Sequence, residues 1–263
     1  MINVRFIALV VSAIFLFSAL DSLSLRGFRK YEAKKLLGSE YTISKIIQTG
    51  PEKEALPTVY LTELLELSFD EPQKLYTFNE EEGKEKILLS PVISEVKVKK
   101  IKPDTIYIDY TLRQPVAFLA DFVNTAIDGM GTLFPLSPFY TPKRLPEIYL
   151  GLESYIPKVE GKKLDLAMTL LKLIYDNFPD SYNALKWLDV SEAFSDSYGK
   201  REIIVVFQAP KGSHYLRLNP KNYKADLGSY LSLKEELWQE EIDKVIDLRI
   251  SKLAYIEDHL RKE

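Results

Sequence analysis

The sequence predicts an α+β protein: an N-terminal transmembrane helix, a small module of one strand, two short helices and a hairpin, then a second mixed α/β module with a largely antiparallel sheet. Three observations carry this reading. A run from Phe6 to Leu20 holds no charge, no Pro and no Gly. Between Val96 and Leu112 apolar and polar residues alternate with the period of two that a half-buried strand requires. From Leu164 onward apolar residues recur at i, i+3, i+4 and i+7, the stripe of a helix packed on one face.

Composition narrows the function. At 263 residues the chain has room for one or two domains besides a membrane segment, at roughly 100–200 residues each. Hydrophobic residues make up 46% and charges are well mixed, so the chain can bury a core instead of staying disordered. A net charge of −3 gives no general attraction to nucleic acid, whose binding normally needs clustered, phosphate-neutralising Lys and Arg. Cysteine is absent, which excludes disulfides, thiolate zinc sites, iron–sulfur clusters and a cysteine nucleophile. His214 and His259 lie far apart and in no ligand spacing, so both read as ordinary packed or surface histidines. No motif calls for a cofactor, a metal or a small-molecule substrate.

At 1.5 Å per residue the Phe6–Leu20 run covers about 22 Å, and it needs Ser22 to Leu25 to approach a hydrocarbon core of roughly 30 Å. Residues 6–25 are therefore read as a short signal anchor behind a cytoplasmic tail of residues 1–5. A cleaved signal peptide competes with this, but its one tolerable site, Ser22-Leu23-Ser24, lacks the favoured alanines. Arg26, Arg29, Lys30, Lys34 and Lys35 follow the run while only Arg5 precedes it, a bias that by itself would hold the bulk in the cytoplasm. The five-residue tail before an apolar segment is how exported chains begin, and the N-terminus is expected inside. Residues 26–40 form a basic tether.

The first module covers residues 41–119. Thr42 to Ile47 suggests a strand, ended by Gly50-Pro51. Leu56 to Leu67 suggests a short helix with Val59, Tyr60, Leu64 and Leu67 on its apolar face and Pro57 in its first turn. Asn79 followed by Glu80, Glu81 and Glu82 marks the start of a second helix, and Ser90-Pro91 its end; Ile87 to Leu89 should be its buried turn. Val96 and Val98 then alternate with lysines, Lys102-Pro103-Asp104 turns the chain, and Ile106, Ile108, Tyr110 and Leu112 complete the hairpin.

The second module covers residues 120–258, before a short tail at 259–263. It opens with a hairpin-like pair, Phe122 to Ile127 and Met130 to Phe134, around Asp128-Gly129. Leu164, Ala167, Met168, Leu171, Ile174, Tyr175 and Phe178 stripe a helix that Pro179 stops. Strands follow at Ile203 to Phe207 and Tyr215 to Leu218, then a helix through Leu233 and Leu237. The chain closes with strands Lys244 to Ile250 and Leu253 to Ile256.

Several of these segments together resemble the FtsQ/DivIB cell-division family. Ser90-Pro-Val-Ile-Ser-Glu-Val-Lys-Val98, Lys102-Pro-Asp-Thr-Ile106 and Arg113-Gln-Pro-Val-Ala117 are similar to the end of that family's POTRA domain. Ile127-Asp-Gly-Met-Gly-Thr-Leu-Phe134 resembles the opening of its β domain, with one extra glycine. Leu145-Pro146 with Gly151 resembles a Leu-Pro-x-x-x-Gly element stretched by a residue or two, and Val245-Ile-Asp-Leu-Arg249 resembles the closing strands. Ile250 stands where the family prefers Tyr, and Leu218-Asn219-Pro220 replaces a customary Leu-Gly.

The resemblance implies a POTRA-like domain, an FtsQ-type β domain, and a non-enzymatic scaffold at the cell (inner) membrane with its bulk extracytoplasmic. The implied partners are FtsB-like and FtsL-like single-pass division proteins, bound at a sheet edge where main-chain hydrogen bonds give affinity and side chains specificity. On that basis Arg249, Ile250, Lys252 and Leu253 are the expected partner-binding residues. A POTRA-bearing protein of export or outer-membrane assembly competes with this, although such proteins usually carry several copies and a long barrel. An envelope hydrolase using a carboxylate pair such as Asp189 and Glu192 is a weaker competitor, because no Gly-rich loop, Ser/His pattern or metal spacing supports it.

Overall fold

The computed structural model describes residues 27–28, 30–31, 38–68, 70–238 and 243–258, and divides into two compact units, Met1–Thr111 and Leu112–Glu263. The architecture is α+β with mixed sheets. Among the described residues no helix is long and apolar enough to cross a membrane. The expected span at 6–25 lies outside the described residues, as do the tail 259–263 and much of the 26–40 tether.

In the first unit β1 (Lys45–Thr49), α1 (Thr58–Leu64), α2 (Glu80–Leu88), β2 (Ile93–Ile101) and β3 (Thr105–Leu112) follow in that order, and the strands lie side by side as β1-β3-β2. β1 runs parallel to β3 from Lys45↔Thr105 to Thr49↔Asp109. Alternation places Val96, Val98, Ile106, Ile108, Tyr110 and Leu112 in the core, as the hairpin pattern expects. Tyr110 also carries a polar role, since its hydroxyl accepts the Leu56 N–H at 2.7 Å. Asn79 caps α2 by accepting from the N–H groups of Glu81 and Glu82, and the three glutamates sit in the positively polarised first turn.

Two helical faces differ from the sequence reading. In α1 the buried residues are Leu61 and, just past its end, Leu65, whereas Val59 is 68% exposed. Leu61 and Leu65 are one turn apart and follow the buried Leu56, so three leucines outweigh a single valine in choosing the inward face. At the end of α2 only Ile87 is buried; Leu89 is 80% exposed because the chain turns there, with Ser90 N–H bonded to Ile87 O.

Among the described residues the second unit holds one sheet of nine strands in the order β12-β11-β10-β9-β8-β7-β4-β5-β6. These are β4 (Ala117–Leu119), β5 (Thr125–Ile127), β6 (Leu133–Pro135), β7 (Glu147–Tyr149), β8 (Leu185–Asp189), β9 (Ile203–Gln208), β10 (Ser213–Leu218), β11 (Lys244–Asp247) and β12 (Tyr255–Asp258). The pairs β10–β11, β7–β8 and β4–β7 are parallel, and the rest are antiparallel. The sequence reading closes the first module at residue 119, yet β4 pairs with β5 and β7, and Ala117 and Leu119 bury themselves in the second core.

The α-helices of this unit among the described residues are α3 (Lys162–Asn177), α4 (Pro179–Ala184) and α5 (Tyr223–Leu237). α3 buries Leu164, Ala167, Leu171 and Ile174 as its stripe predicts, while Tyr175 is left 62% exposed. Pro179 ends α3 and starts α4, where its missing N–H costs nothing in the first turn. Asp128 organises the β5–β6 connection, its Oδ1 accepting the N–H groups of Met130 and Thr132 while Oδ2 pairs with Arg113 at 3.1 Å.

Candidate partner-binding edge

An open sheet has two edges, and this one treats them differently. At the start of β6 the backbone of residues 157–159 bridges the edge: Leu133 N–H bonds Pro157 O at 2.9 Å, and Val159 N–H bonds Gly131 O at 2.8 Å. Gly131 takes φ +82°, a left-handed conformation that suits glycine, and a side chain there would collide with Val159 O. At the other end, no described residue pairs with the outer side of β12. All four of its residues are exposed, unlike any other strand of the sheet.

β12 reaches the core only through β11 and β10. β11 lies parallel to β10 from His214↔Lys244 to Arg217↔Asp247, and Ile246 fills the core at 1% exposure. Beneath β10 a buried polar chain ties down α5. Trp238 Nε1–H donates to Tyr230 Oη at 2.9 Å, and Tyr230 Oη lies 3.1 Å from His214 Nδ1. His214 and Tyr230 are both buried, and the Tyr230 ring stacks on Phe207 at 5.5 Å. Burial pushes the Tyr230 hydroxyl up to about 12, with the Trp238 hydrogen bond opposing it, so it keeps its proton as a donor. Of the two readings open for His214, packed or surface, the packed one describes it; His259 lies outside the described residues.

A second polar group fixes the start of the β11–β12 connection. Glu202 receives Arg217 at 2.6 Å and Arg249 at 3.2 Å, while Asp247 receives Arg249 at 2.7 Å and Arg217 at 3.3 Å. Two arginines thus face two carboxylates across β9, β10 and β11. Burial alone would raise the Asp247 carboxyl, but the hydrogen bonds and charge of Arg249, aided by Arg217, hold it below its ordinary value. The same pairing with Asp247 raises Arg249.

The four residues expected at the edge are brought together here, though on a loop. The sequence reading runs strands through Lys244–Ile250 and Leu253–Ile256; β11 instead ends at Asp247 and β12 begins at Tyr255. The cause is local. Asp247 Oδ1 accepts the N–H of Arg249, which turns the chain out of the ladder. Ile250 to Leu253 then form a tight turn closed by Leu253 N–H to Ile250 O at 3.1 Å, with Lys252 at φ +64°. Arg249 is held in the ion-pair group, Lys252 is exposed, and Ile250 and Leu253 present 67% and 57% of their surface. The Asp-x-Arg spacing of Asp247 and Arg249 is the signal that could have located this turn.

The carboxylates weighed for hydrolysis lie at the end of β8 and on the turn that follows it. Asp189 Oδ1 accepts the Ser191 N–H at the end of β8, and Glu192 is exposed on the following turn. Among the described residues no group of three or more His, Cys, Asp or Glu could hold a metal ion. Comparison with protein-family models gives no match, and comparison with curated proteins gives none.

Proposed function

We propose that this chain is a non-enzymatic scaffold of the FtsQ/DivIB type, anchored in the cell membrane through residues 6–25 with its bulk outside the cytoplasm. In this reading it binds FtsB-like and FtsL-like single-pass division proteins by strand addition at β12. The observation that carries the proposal is the open outer edge of β12, at the end of a sheet whose opposite edge is bridged at the start of β6 by residues 157–159. Unpaired edges are hazards that proteins cover, blunt or use. The β-α-α-β-β order of the first unit, with β1 beside β3, agrees with a POTRA-like module. The family-like segments also fall at joints of the fold: Pro103-Asp104 turns β2 into β3, Asp128 turns β5 into β6, and Val245–Asp247 lies on β11. Ile250 and Leu253 supply apolar flanking contacts, and Arg249 and Lys252 the charged rim.

Strand addition makes a sharp test possible. In an antiparallel ladder successive residues turn their N–H and C=O groups to opposite sides. Of Ile256→Pro and Glu257→Pro, one therefore breaks the β11–β12 ladder and the other removes only an outward donor. The purified full chain in detergent is expected to retain FtsB-like and FtsL-like partners, and to lose them in the proline variant whose circular dichroism is unchanged. Ile250→Ala combined with Leu253→Ala should weaken retention by about tenfold or more, the usual scale for apolar anchors. Full-strength binding by both folded variants would remove the edge as the interface.

A further inference from the structure

We infer that the strand docking on β12 carries two adjacent apolar residues toward the β11–β12 loop and two adjacent Lys or Arg residues toward the Asp258 end. This rests on the edge-docking reading and goes beyond it by naming the chemistry of the partner. The register supplies the pattern: Asp247↔Tyr255, Ile246↔Ile256, Val245↔Glu257 and Lys244↔Asp258. Residues directly opposite share a face and touch. Ile256 continues the row of the buried Ile246, so the position beyond it is apolar, as is the one beyond the exposed ring of Tyr255.

The other two positions are acidic. Glu257 sits beside Val245, whose partner on β10 is Tyr215, and among the described residues no ion pair engages it. Asp258 has Lys244 at 3.7 Å, but the lysine side chain is 8% exposed and the aspartate 56%, so most of the carboxylate faces outward. A strand laid outside β12 meets two carboxylates in succession after two apolar side chains. Like charges there oppose docking and opposite charges favour it; two cross-strand pairs together separate a basic strand from an acidic one by about tenfold.

The test uses dye-labelled, end-capped ten-residue peptides with a Tyr-Val-Lys-Lys centre, its reversed order, the acidic Tyr-Val-Glu-Glu counterpart and a scrambled Lys-Tyr-Lys-Val. Fluorescence polarisation reads their binding to the full chain in zwitterionic detergent. The wild type is expected to prefer the basic peptide, in one of its two directions, by about tenfold over the acidic one. Glu257→Lys combined with Asp258→Lys should reverse that preference. Equal binding of acidic and basic peptides overturns the inference while leaving edge docking intact. Scrambled peptide binding as well as the ordered one reduces the effect to net charge and also overturns it. No binding of any peptide up to about 1 mM overturns the inference; the docking reading then stands or falls with the retention of membrane-anchored partners by the full chain. Binding seen only after deletion of residues 259–263 would put the chain's own Arg261 and Lys262 on the edge, against a separate partner.

Discussion

Tyr230→Phe is the perturbation that most directly tests how β10 and α5 are held together behind the open edge. Phenylalanine keeps the ring that stacks on Phe207 and leaves the packing volume almost unchanged. What disappears is the hydroxyl between His214 Nδ1 and Trp238 Nε1. Losing the partner of a buried polar atom costs about 1–3 kcal/mol. His214 is fully buried and bears most of this, whereas Trp238 is half-buried and can reach water. A loss of about 2 kcal/mol lowers the melting temperature of a unit of roughly 150 residues by about 4–8 °C. Differential scanning calorimetry of the purified chain measures it, with Phe207→Leu as a variant that disturbs stacking and spares the hydrogen bonds. A shift below about 1 °C for Tyr230→Phe would show that the polar chain contributes nothing and that apolar packing alone seats α5.

Three further outcomes follow from the same structure. Ser197 is exposed and the chain has no native cysteine, so Ser197→Cys in intact cells or spheroplasts should react with a membrane-impermeant maleimide; labelling only after lysis would refute an extracytoplasmic bulk. Asp247 has its carboxyl held low by Arg249 against the effect of burial, so its stabilisation is present above the ordinary carboxylate pKa near 3.9 and is lost as pH falls through the lower folded value. Thermal melts of the wild type and Asp247→Asn should therefore differ at neutral pH and converge in acid. Asp226 runs the other way: burial raises its carboxyl despite the Asn219 N–H bond, its charge costs stability above that raised value, and Asp226→Asn should stabilise most at neutral pH.

Much of the first unit was legible because its signals are local. Period-two alternation picked the buried faces of β2 and β3, and Asn79 with three glutamates located the start of α2. The second unit was less legible, because its three-residue strands are too short to show a period. β7 is a strand only because it finds neighbours far along the chain, Glu147 beside Phe118 and Ile148 beside Leu188. In β8 the register shift between Leu185 and Trp187 breaks the alternation that would have announced it. The sequence reading did put the closing segment at the end of the sheet. It missed that Asp247 folds back on Arg249, which turns Ile250 to Leu253 from strand into loop and moves the open edge to Tyr255–Asp258.

The shortness of β12 constrains how it can work. In four residues about two turn their N–H and C=O groups outward. At about 0.5–1.5 kcal/mol net for each hydrogen bond, main-chain pairing alone leaves a docked strand weakly held. That weakness protects the isolated protein, since a short edge carrying Glu257 and Asp258 is a poor template for another copy of itself. A specific partner must add what the ladder lacks: side-chain contacts to Ile250, Leu253, Tyr255 and Ile256, and confinement near the edge. If residues 6–25 and the partner's own span share one bilayer, as proposed, the second contact becomes effectively intramolecular and modest edge affinity is raised by local concentration. The same edge offered to soluble peptides would then bind far more weakly than to membrane-anchored partners, because the two measurements differ by the effective concentration that the shared membrane supplies.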